Sequence, residues 1–363
     1  MKILWASHRD IKNNKAGGSE RVIYEVSRRL ALRGHQITWL TGGWNGAKAS
    51  EDIDGIMIRR YRGRIAPHLA LPVVANHRTD FDVIVDDLSH AVPWFSPILT
   101  SIPGIAHFYH LHEKTLPGQV SFTLSKIISK MERLYPLIYK NWPFITISED
   151  SKNDLIELGI DKNRISVIFP GVDTDLFKPG NKTPTPQLVY FGGMRPYKRP
   201  EHAIYALDKL IRKGISASLV MIGDGPSLPV LEKTVREMGL DSKVKFTGKV
   251  SDEDLAAIVR ESWINIHCSV SEGWCLSAME AAATGIPTVA YRVPGISNSV
   301  VDNQTGLLAA DDDLMMLSDL VMETIKSSHE RFSMNCRKHA MKYSWAKTAT
   351  EWEAKLKTAS ELA

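Results

Sequence analysis

The stretch Leu188-Val189-Tyr190-Phe191-Gly192-Gly193 joins a short apolar run directly to a pair of glycines. Such a run ending in glycine is typical of a buried parallel strand that leads into a tight loop. The pattern recurs in the second half of the chain, where glycine turns follow apolar runs at Gly223, Gly248 and Gly273. One glycine turn is weak evidence, because ordinary turns contain glycine. Four in successive loops of one predicted domain indicate a ligand site beyond the carboxyl ends of the strands.

The first half of the chain shows a second series of strands and helices. Apolar runs at 3–5, 35–40, 82–85, 105–108 and 144–147 predict short buried strands. A helix is expected to begin after Ser19 as its N-cap and to end at Leu32 before Gly34. Residues 178–186 are rich in proline, glycine and threonine and read as a linker. The sequence therefore predicts two doubly wound, Rossmann-like α/β domains at 1–178 and 187–345, with 179–186 between them.

Composition narrows the class of protein. Hydrophobic residues make up 44% and charged residues 24% of the 363 residues, which is the balance of a soluble globular protein. No apolar stretch approaches the roughly 18–20 residues that span a bilayer. The three cysteines, Cys268, Cys275 and Cys336, form neither a disulfide framework nor a zinc motif. We expect a cytoplasmic protein, with the inner face of the cytoplasmic membrane as an alternative location.

Charge is unevenly spread along the chain. Residues 1–178 hold 23 Lys and Arg against 19 Asp and Glu, which is a net charge of +4, and the remainder is neutral. Basic residues interrupt an apolar stretch at 126–142, namely Lys126, Lys130, Arg133 and Lys140. This stretch is either a surface for anionic membranes or a core-facing helix with a solvated basic side. Nucleic-acid binding is not expected, because the net charge is small and no nucleic-acid motif is present.

The glycine loops also carry basic residues. Arg195 and Lys198 follow Gly193, and a helix expected to begin near Gly273 would point free N–H groups at an anion. This combination predicts a diphosphate site that needs no metal ion. The DxD pattern, which would suggest a metal, matches five times in this acid-rich chain and discriminates nothing, at 52–54, 80–82, 173–175, 252–254 and 311–313. We therefore expect neither a metal nor a cofactor.

The most specific motif is Ser271-Glu272-Gly273-Trp274-Cys275-Leu276-Ser277-Ala278-Met279-Glu280-Ala281. It is similar to the EX7E motif of the family 4 retaining glycosyltransferases of GT-B fold, with Glu272 and Glu280 as the paired acids. The resemblance covers nearly the whole chain. Other segments that resemble family patterns are Gly17-Gly18-Ser19-Glu20, Ile168-Phe169-Pro170-Gly171-Val172-Asp173, Phe191 to Lys198, Gly285-Ile286-Pro287-Thr288-Val289 and Asn303-Gln304-Thr305-Gly306-Leu307-Leu308. One departure is Gly193, where many members carry Arg, and Arg195 is the candidate for the same role.

This resemblance implies an enzyme whose two Rossmann-like domains face each other across a cleft. A C-terminal helix, about 346–363, would complete the first domain. The enzyme would move a hexose from a UDP- or GDP-sugar, which is a substrate and not a cofactor, to a glycan, lipid-linked or small-molecule acceptor. An α-linked product is expected, with retention of configuration.

The resemblance also assigns residues. Glu272 would contact the donor sugar, Glu280 the ribose, and Lys198 and Arg195 the diphosphate. A histidine of the first domain would face the reacting sugar; His110 is favoured over His107 and His112, because His107 should lie inside a strand. The donor-binding residues it implies are Gly17, Gly18, Gly192, Gly193, Gly223, Gly248, Val250, Gly273, Trp274, Cys275, Leu276 and Glu280.

Other interpretations remain for these residues and for the chain. Glu272 could instead cap the following helix, and Glu280 could be a solvated helix residue. A nucleotide-sugar epimerase can share the two-domain architecture and would need no acceptor. A non-catalytic sugar-nucleotide binding subunit would tend to lose the acid pair that this chain retains.

Overall fold

The computed structural model describes residues 1–63, 65–75, 80–113, 115–116, 119–327 and 330–361. These residues divide into two compact units. Unit 1 comprises Met1–Glu113, Phe122–Gly171 and Trp345–Ala363, and unit 2 comprises Lys114–Ser121 and Val172–Ser344.

Unit 1 is built on a mostly parallel sheet with the order β3-β4-β2-β1-β5-β6-β7-β8. Its strands are β1 (Lys2–Ala6), β2 (Gln36–Gly43), β3 (Ser50–Ile53), β4 (Ile56–Arg62), β5 (Val83–Asp87), β6 (Gly104–Phe108), β7 (Phe144–Thr146) and β8 (Ile165–Val167). Its helices are α1 (Gly18–Leu32), α2 (Ala66–Val74), α3 (Ser96–Leu99), α4 (Phe122–Glu132), α5 (Tyr135–Ile138), α6 (Glu149–Glu157) and, at the end of the chain, α14 (Trp345–Glu361). The edge strand β3 pairs antiparallel with β4, a hairpin that the apolar-run pattern did not predict.

Helix α1 begins earlier than the sequence predicted. Its N-cap is Gly17 and not Ser19. The reason is Glu20, whose carboxylate accepts a hydrogen bond of 2.7 Å from the Gly17 N–H, as in a capping box. The helix ends before Gly34, which adopts the positive φ of +88° that glycine favours.

The core of unit 1 joins the two ends of the chain. Trp5, on the central strand β1, is fully buried, and its ring lies 4.8 Å from the ring of Trp352 in α14. Trp352 also packs edge-on against His107 of β6 at 4.8 Å. Helix α14 therefore covers the sheet through large aromatic side chains, which bury more area than any other side chains.

The boundary between the units lies before the predicted one at 178. The main segment of unit 2 begins at Val172, which forms a parallel β-bridge with Ser344. Arg337 binds the same segment, because its guanidinium donates a 2.8 Å hydrogen bond to the carbonyl of Phe177. These backbone contacts tie 172–178 to unit 2.

Unit 2 contains a parallel sheet with the order β11-β10-β9-β12-β13-β14. Its strands are β9 (Gln187–Phe191), β10 (Ser218–Ile222), β11 (Val244–Gly248), β12 (Ile264–His267), β13 (Thr288–Tyr291) and β14 (Gly306–Ala309). Its helices are α7 (Glu201–Arg212), α8 (Leu228–Glu237), α9 (Asp252–Glu261), α10 (Leu276–Ala283), α11 (Ile296–Ser299), α12 (Leu314–Lys326) and α13 (Glu330–Ala340). The direction of the strand order reverses between β9 and β12, which makes this pair a topological switch point. The predicted doubly wound α/β fold is confirmed.

The basic apolar stretch at 126–142 has two different environments. Ile138 and Tyr139 are buried, as a core-facing helix requires. Helix α4 differs, because its apolar side chains Phe122 and Ile127 are 74% and 50% exposed. The core-facing interpretation is therefore wrong for α4. Among the described residues, no helix is both long enough and apolar enough to cross a bilayer.

Candidate active site

The switch point of unit 2 holds a largely buried ion pair. Lys198 lies at the end of a short 3₁₀ turn that follows β9, and Glu272 lies in the loop that follows β12. The Lys198 Nζ is 2.7 Å from the Glu272 Oε1, and each side chain is only 15% exposed. Two residues 74 positions apart in sequence are thus brought together at the place where open α/β sheets bind ligands.

The same Glu272 oxygen receives two further polar groups. The Ser269 hydroxyl donates a 2.7 Å hydrogen bond to Oε1, and the His267 Nε2 lies 3.1 Å from it. Burial alone would raise the pKa of Glu272, but Lys198 and His267 outweigh burial and hold the pKa well below its usual range. The carboxylate is therefore ionised, and since it can only accept, the His267 Nε2 must carry a proton.

His267 is a site residue that the sequence did not single out. It is the last residue of β12, and its side chain is only 2% exposed. Burial alone would lower its pKa, but Cys275 and Glu272 outweigh burial and raise the pKa to about 9. The sequence gives no signal for this, because a single histidine at the end of an apolar strand is usually a core residue.

The glycine loops of unit 2 pack against one another. The Gly223 N–H donates a 2.8 Å hydrogen bond to the Gly248 carbonyl, which joins the ends of β10 and β11. Gly223 has φ of +127°, and a Cβ there would lie 2.1 Å from the Gly192 carbonyl oxygen. Only glycine allows this approach. The glycine pattern therefore has a structural cause in loop packing, and Val250 beyond Gly248 is partly buried against the core of the unit.

Gly193 and the Arg195 side chain lie close together in the loop that follows β9. A Cβ on Gly193 would make an ordinary contact of 3.6 Å with the Arg195 Nε. The Arg195 side chain therefore lies beside the position where many family members carry their arginine. Its guanidinium also donates a 3.2 Å hydrogen bond to the side-chain oxygen of Gln119, which belongs to the same unit.

Helix α10 begins at Leu276, not near Gly273 as predicted. The N-cap residue Cys275 has φ of +58°, so the backbone turns before the helix starts. Trp274 is buried, with its ring 5.2 Å from that of Tyr343, so its side chain anchors the loop. The free N–H groups at this helix end are therefore those of Leu276 and its successor.

A second glycine in this region was missed by the sequence analysis. Gly295, in the loop after β13, has φ of +77°, and a Cβ there would lie 2.1 Å from the Glu272 carbonyl oxygen. The preceding Pro294 carbonyl accepts a 3.0 Å hydrogen bond from the Glu272 N–H. The sequence pair Pro294-Gly295 could have indicated this close approach, because both residues hold the backbone of Glu272 in place.

Glu280, the second acid of the motif, is half-buried within α10.

The candidate residues of unit 1 follow β1 or lie in and after β6. Gly17 and Gly18 form the start of α1, where Glu20 is held by the Arg9 guanidinium at 2.9 Å. Arg9 also lies 2.5 Å from the His90 Nε2.

The three histidines after and within β6 differ in their surroundings. His107 is buried inside β6 and contacts the Tyr109 hydroxyl at 3.1 Å. His112 uses its two ring nitrogens on Glu132 at 2.8 Å and on the Ser89 carbonyl at 3.0 Å. His110 is half-buried, with its ring 4.9 Å from that of His112. The prediction that His107 lies inside the strand is confirmed. His110 lies in the loop that follows the end of β6 at Phe108.

In the described part of the chain, no group of three or more His, Cys, Asp or Glu side chains is arranged to hold a metal ion. Several of the DxD acids have structural partners. The Asp313 side chain caps α12, and Asp311 pairs with Arg199.

Comparison with known families gives two matches that together span most of the chain. Residues 172–342 match the family described as Glycosyl transferases group 1. Residues 16–176 match the family described as Glycosyltransferase Family 4.

Similar sequences include two proteins with related names. The D-inositol 3-phosphate glycosyltransferase of Corynebacterium efficiens is 34% identical over 212 residues, which are 53% of this chain and 50% of that protein. The chain therefore aligns with only half the length of this relative. The D-inositol 3-phosphate glycosyltransferase 2 of Catenulispora acidiphila is 27% identical over 387 aligned residues, covering 92% of this chain and 88% of that protein.

Solved structures with the same fold cover both units. Sucrose-phosphate synthase from Thermosynechococcus elongatus has a TM-score of 0.83 at 19% identity, with 100% of both chains covered. The Anabaena protein HepE in complex with UDP-glucose has a TM-score of 0.76 at 17% identity, with 99% of this chain and 100% of that chain covered. At identities of 17% and 19%, these structures show that the chain shares their fold and nothing beyond the fold.

The buried ion pair leads to a stability prediction. Lys198→Met should lower the free energy of unfolding by about 1–3 kcal/mol at pH 7, because Glu272 would keep only His267 and Ser269 as partners. The matched control is Lys209→Met, whose ammonium pairs at 2.7 Å with Asp319, a carboxylate that is 60% exposed. That change should cost less than about 1 kcal/mol. Urea denaturation measures the free energy of unfolding of both variants. If both lose the same small amount, the Lys198–Glu272 pair contributes no more than an exposed pair does.

Proposed function

Because this chain belongs to the family 4 glycosyltransferases of GT-B fold, we propose that it transfers a hexose from a UDP- or GDP-sugar to an acceptor. The acceptor class is a glycan, a lipid-linked sugar or a small molecule. The observation that carries the proposal is the Lys198–Glu272 ion pair of 2.7 Å at the β9/β12 switch point. A cation for the leaving diphosphate and a carboxylate for the sugar are the two groups that donor binding needs.

The diphosphate end of the donor would be held by positive charge. Lys198 and Arg195 both follow β9, and the free N–H groups of Leu276 and Ser277 lie at the start of α10. As the sugar–phosphate bond breaks, negative charge grows on the leaving diphosphate. Fixed cations and N–H dipoles stabilise that charge more in the transition state than in the ground state. Glu280 would accept hydrogen bonds from the ribose hydroxyls, as acidic residues do in other nucleotide sites.

The sugar end would be held by Glu272, while a role for His110 of unit 1 stays a prediction from the family resemblance. Glu272 is ionised and can accept hydrogen bonds from sugar hydroxyls. We propose a front-face substitution, in which the bond from C1 to the phosphate oxygen breaks while the acceptor oxygen bonds to C1 on the same face. The leaving phosphate oxygen takes the proton of the acceptor hydroxyl. Configuration is retained, so an α-linked donor gives an α-linked product.

The related proteins suggest which substrates to test first. The curated relatives are named for D-inositol 3-phosphate, and HepE was solved with UDP-glucose. We therefore propose a donor panel of UDP- and GDP-hexoses, with D-inositol 3-phosphate included among the acceptors. Mass spectrometry should show that the acceptor gains the mass of one hexose residue. Without an acceptor, the donor should stay unchanged. Conversion of the donor to its epimer without acceptor would support the epimerase alternative. Binding without any conversion would support the non-catalytic alternative.

Glu272→Ala should lower turnover by about 10²-fold or more, which corresponds to about 2.7 kcal/mol of transition-state stabilisation. The expected cause is the loss of the carboxylate that contacts the transferred sugar. A matched control is Glu253→Ala, which removes an exposed carboxylate in the first turn of α9 and should leave turnover unchanged. Turnover near the wild-type value in a folded Glu272→Ala protein would remove Glu272 from the site.

Transfer should not need a divalent metal ion, because Lys198, Arg195 and the α10 N-terminus supply the charge that a metal would supply. We expect the initial rate to be unchanged after exhaustive dialysis against EDTA. A metal-dependent glycosyltransferase in the same buffer checks that chelation is effective. Loss of transfer that Mn²⁺ or Mg²⁺ restores would contradict the proposal.

Unit 1 carries a surface suited to an anionic membrane. We define the α4 surface as the exposed apolar residues Phe122, Leu124, Ile127, Leu134 and Leu137 with the exposed cations Lys126, Lys130, Arg133 and Lys140. Exposed apolar side chains among basic ones are typical of helices that lie in the membrane interface. We propose that this surface holds the enzyme at a membrane that contains a lipid-linked acceptor.

Flotation with vesicles of anionic and of zwitterionic phospholipid tests this surface. The protein should float with anionic vesicles at low salt and be released at 1 M salt, where the Debye length is about 3 Å. Each cation near the membrane contributes on the order of 1 kcal/mol, so changing all four α4-surface cations to Gln should abolish flotation. The matched control changes four exposed cations of unit 2 to Gln, namely Arg212, Lys213, Lys233 and Arg236. Equal binding by both variants would contradict the proposal.

A further inference from the structure

The ion pair at the switch point raises a problem of charge. Lys198 and Glu272 neutralise each other at 2.7 Å, so the pair alone offers no net charge to a diphosphate. If Lys198 turned toward a bound diphosphate, Glu272 would lose its cation while remaining largely buried. An uncompensated buried carboxylate is strongly unfavourable. A second cation must therefore stay with Glu272.

His267 is placed to be that cation. Its Nε2 faces the Glu272 Oε1 at 3.1 Å, and its Nδ1 lies 3.5 Å from the Ser277 hydroxyl, which can accept. Cys275, whose Sγ lies 3.5 Å from the same Ser277 hydroxyl, also raises the pKa of His267. The Ser277 hydroxyl can accept from Nδ1 or donate to it, whereas the Glu272 carboxylate can only accept, so the carboxylate is the neighbour that favours the charged ring. The ring is buried, so water does not replace these partners.

We propose that His267, as an imidazolium, is the positioning residue that keeps Glu272 in place and compensates its charge, so that Lys198 is released to the donor diphosphate. The inference rests on the proposed function. With His267 charged, the group of Lys198, Glu272 and His267 carries one net positive charge. With His267 neutral, the same group carries none, and a diphosphate loses that attraction.

The surroundings of His267 determine at which pH this charge is lost. The ionisable groups that face it are Glu272 and Cys275 from the loop after its own strand, Lys198 beyond Glu272, and Tyr190 of β9. The Tyr190 ring lies parallel to the imidazole at 6.5 Å, and burial raises its pKa, so it stays neutral. The pKa of Lys198 is raised because Glu272 outweighs burial, so Lys198 stays charged. Of Lys198, Tyr190 and His267, the group whose charge changes is therefore His267, at a pH of about 9.

Isothermal titration calorimetry with UDP, GDP and ADP, from pH 7 to pH 10, tests the inference. For the nucleotide that binds, wild-type affinity should fall about tenfold as pH rises through 9, which corresponds to about 1.4 kcal/mol. The nucleotide phosphates are already ionised in this range and do not contribute, whereas the ring N–H of uracil or guanine loses its proton near the top of the range, for wild type and variant alike. His267→Gln keeps an N–H donor near Glu272 but has no charge, so its affinity should be about tenfold lower at pH 7 and should fall with pH only as far as the nucleotide base itself ionises. The weaker donor binding should appear mainly in the donor KM.

A matched control is His339→Gln, which changes a buried histidine of α13 that contacts the Ser299 carbonyl at 3.1 Å. Its titration should resemble that of the wild type. Wild-type affinity in His267→Gln at pH 7, or the same pH dependence, would overturn the inference. NMR of the wild-type imidazole signals needs no variant, and a neutral His267 at pH 7 would also overturn it. Failure of the wild type to bind any of the three nucleotides would instead overturn the proposed function.

Discussion

The largely buried Glu272 carboxylate ties together two loops of unit 2. A charge that is removed from water must be compensated by opposite charge and by hydrogen bonds. The side chains of Lys198, His267 and Ser269 all contact one oxygen of this carboxylate, Oε1. Because these groups come from the ends of β9 and β12, the two loops must stay together for the carboxylate to remain ionised. The glycine at 295 allows the backbone of Glu272 to reach this position. The topology of the sheet, the loop packing and the electrostatics therefore depend on one another.

Much of this arrangement could be predicted from local patterns. Short apolar runs predicted the central strands. The helices that begin after Ser148 and Asp313 are capped by residue types that favour this position. The β3–β4 hairpin was missed, because β4 alternates buried and exposed residues and carries the buried Arg60, which pairs with Asp10. The start of α10 was placed too early, since a residue other than glycine adopts a positive φ there.

The partners of the site residues were harder to predict than the residues themselves. The motif around Glu272 is continuous in sequence, so a resemblance can identify it. The role of His267 depends on which strand lies next to β12 and on how far the ring is buried, and neither follows from a single sequence. The glycines illustrate the same limit. The pattern correctly marked the loop ends, yet at Gly223 the need for glycine comes from the neighbouring Gly192 carbonyl.

The pairing of Trp5 with Trp352 has a consequence for synthesis on the ribosome. The β1 strand leaves the exit tunnel long before α14, so unit 1 must wait for the residues between them before its core closes. At about 5–20 residues per second, that delay lasts tens of seconds. Unit 2 is continuous from Val172 to Ser344 apart from the short segment at 114–121, and it can become compact earlier. The nascent chain therefore carries an uncovered aromatic surface on its first domain while its second domain matures, which is the state that chaperones recognise.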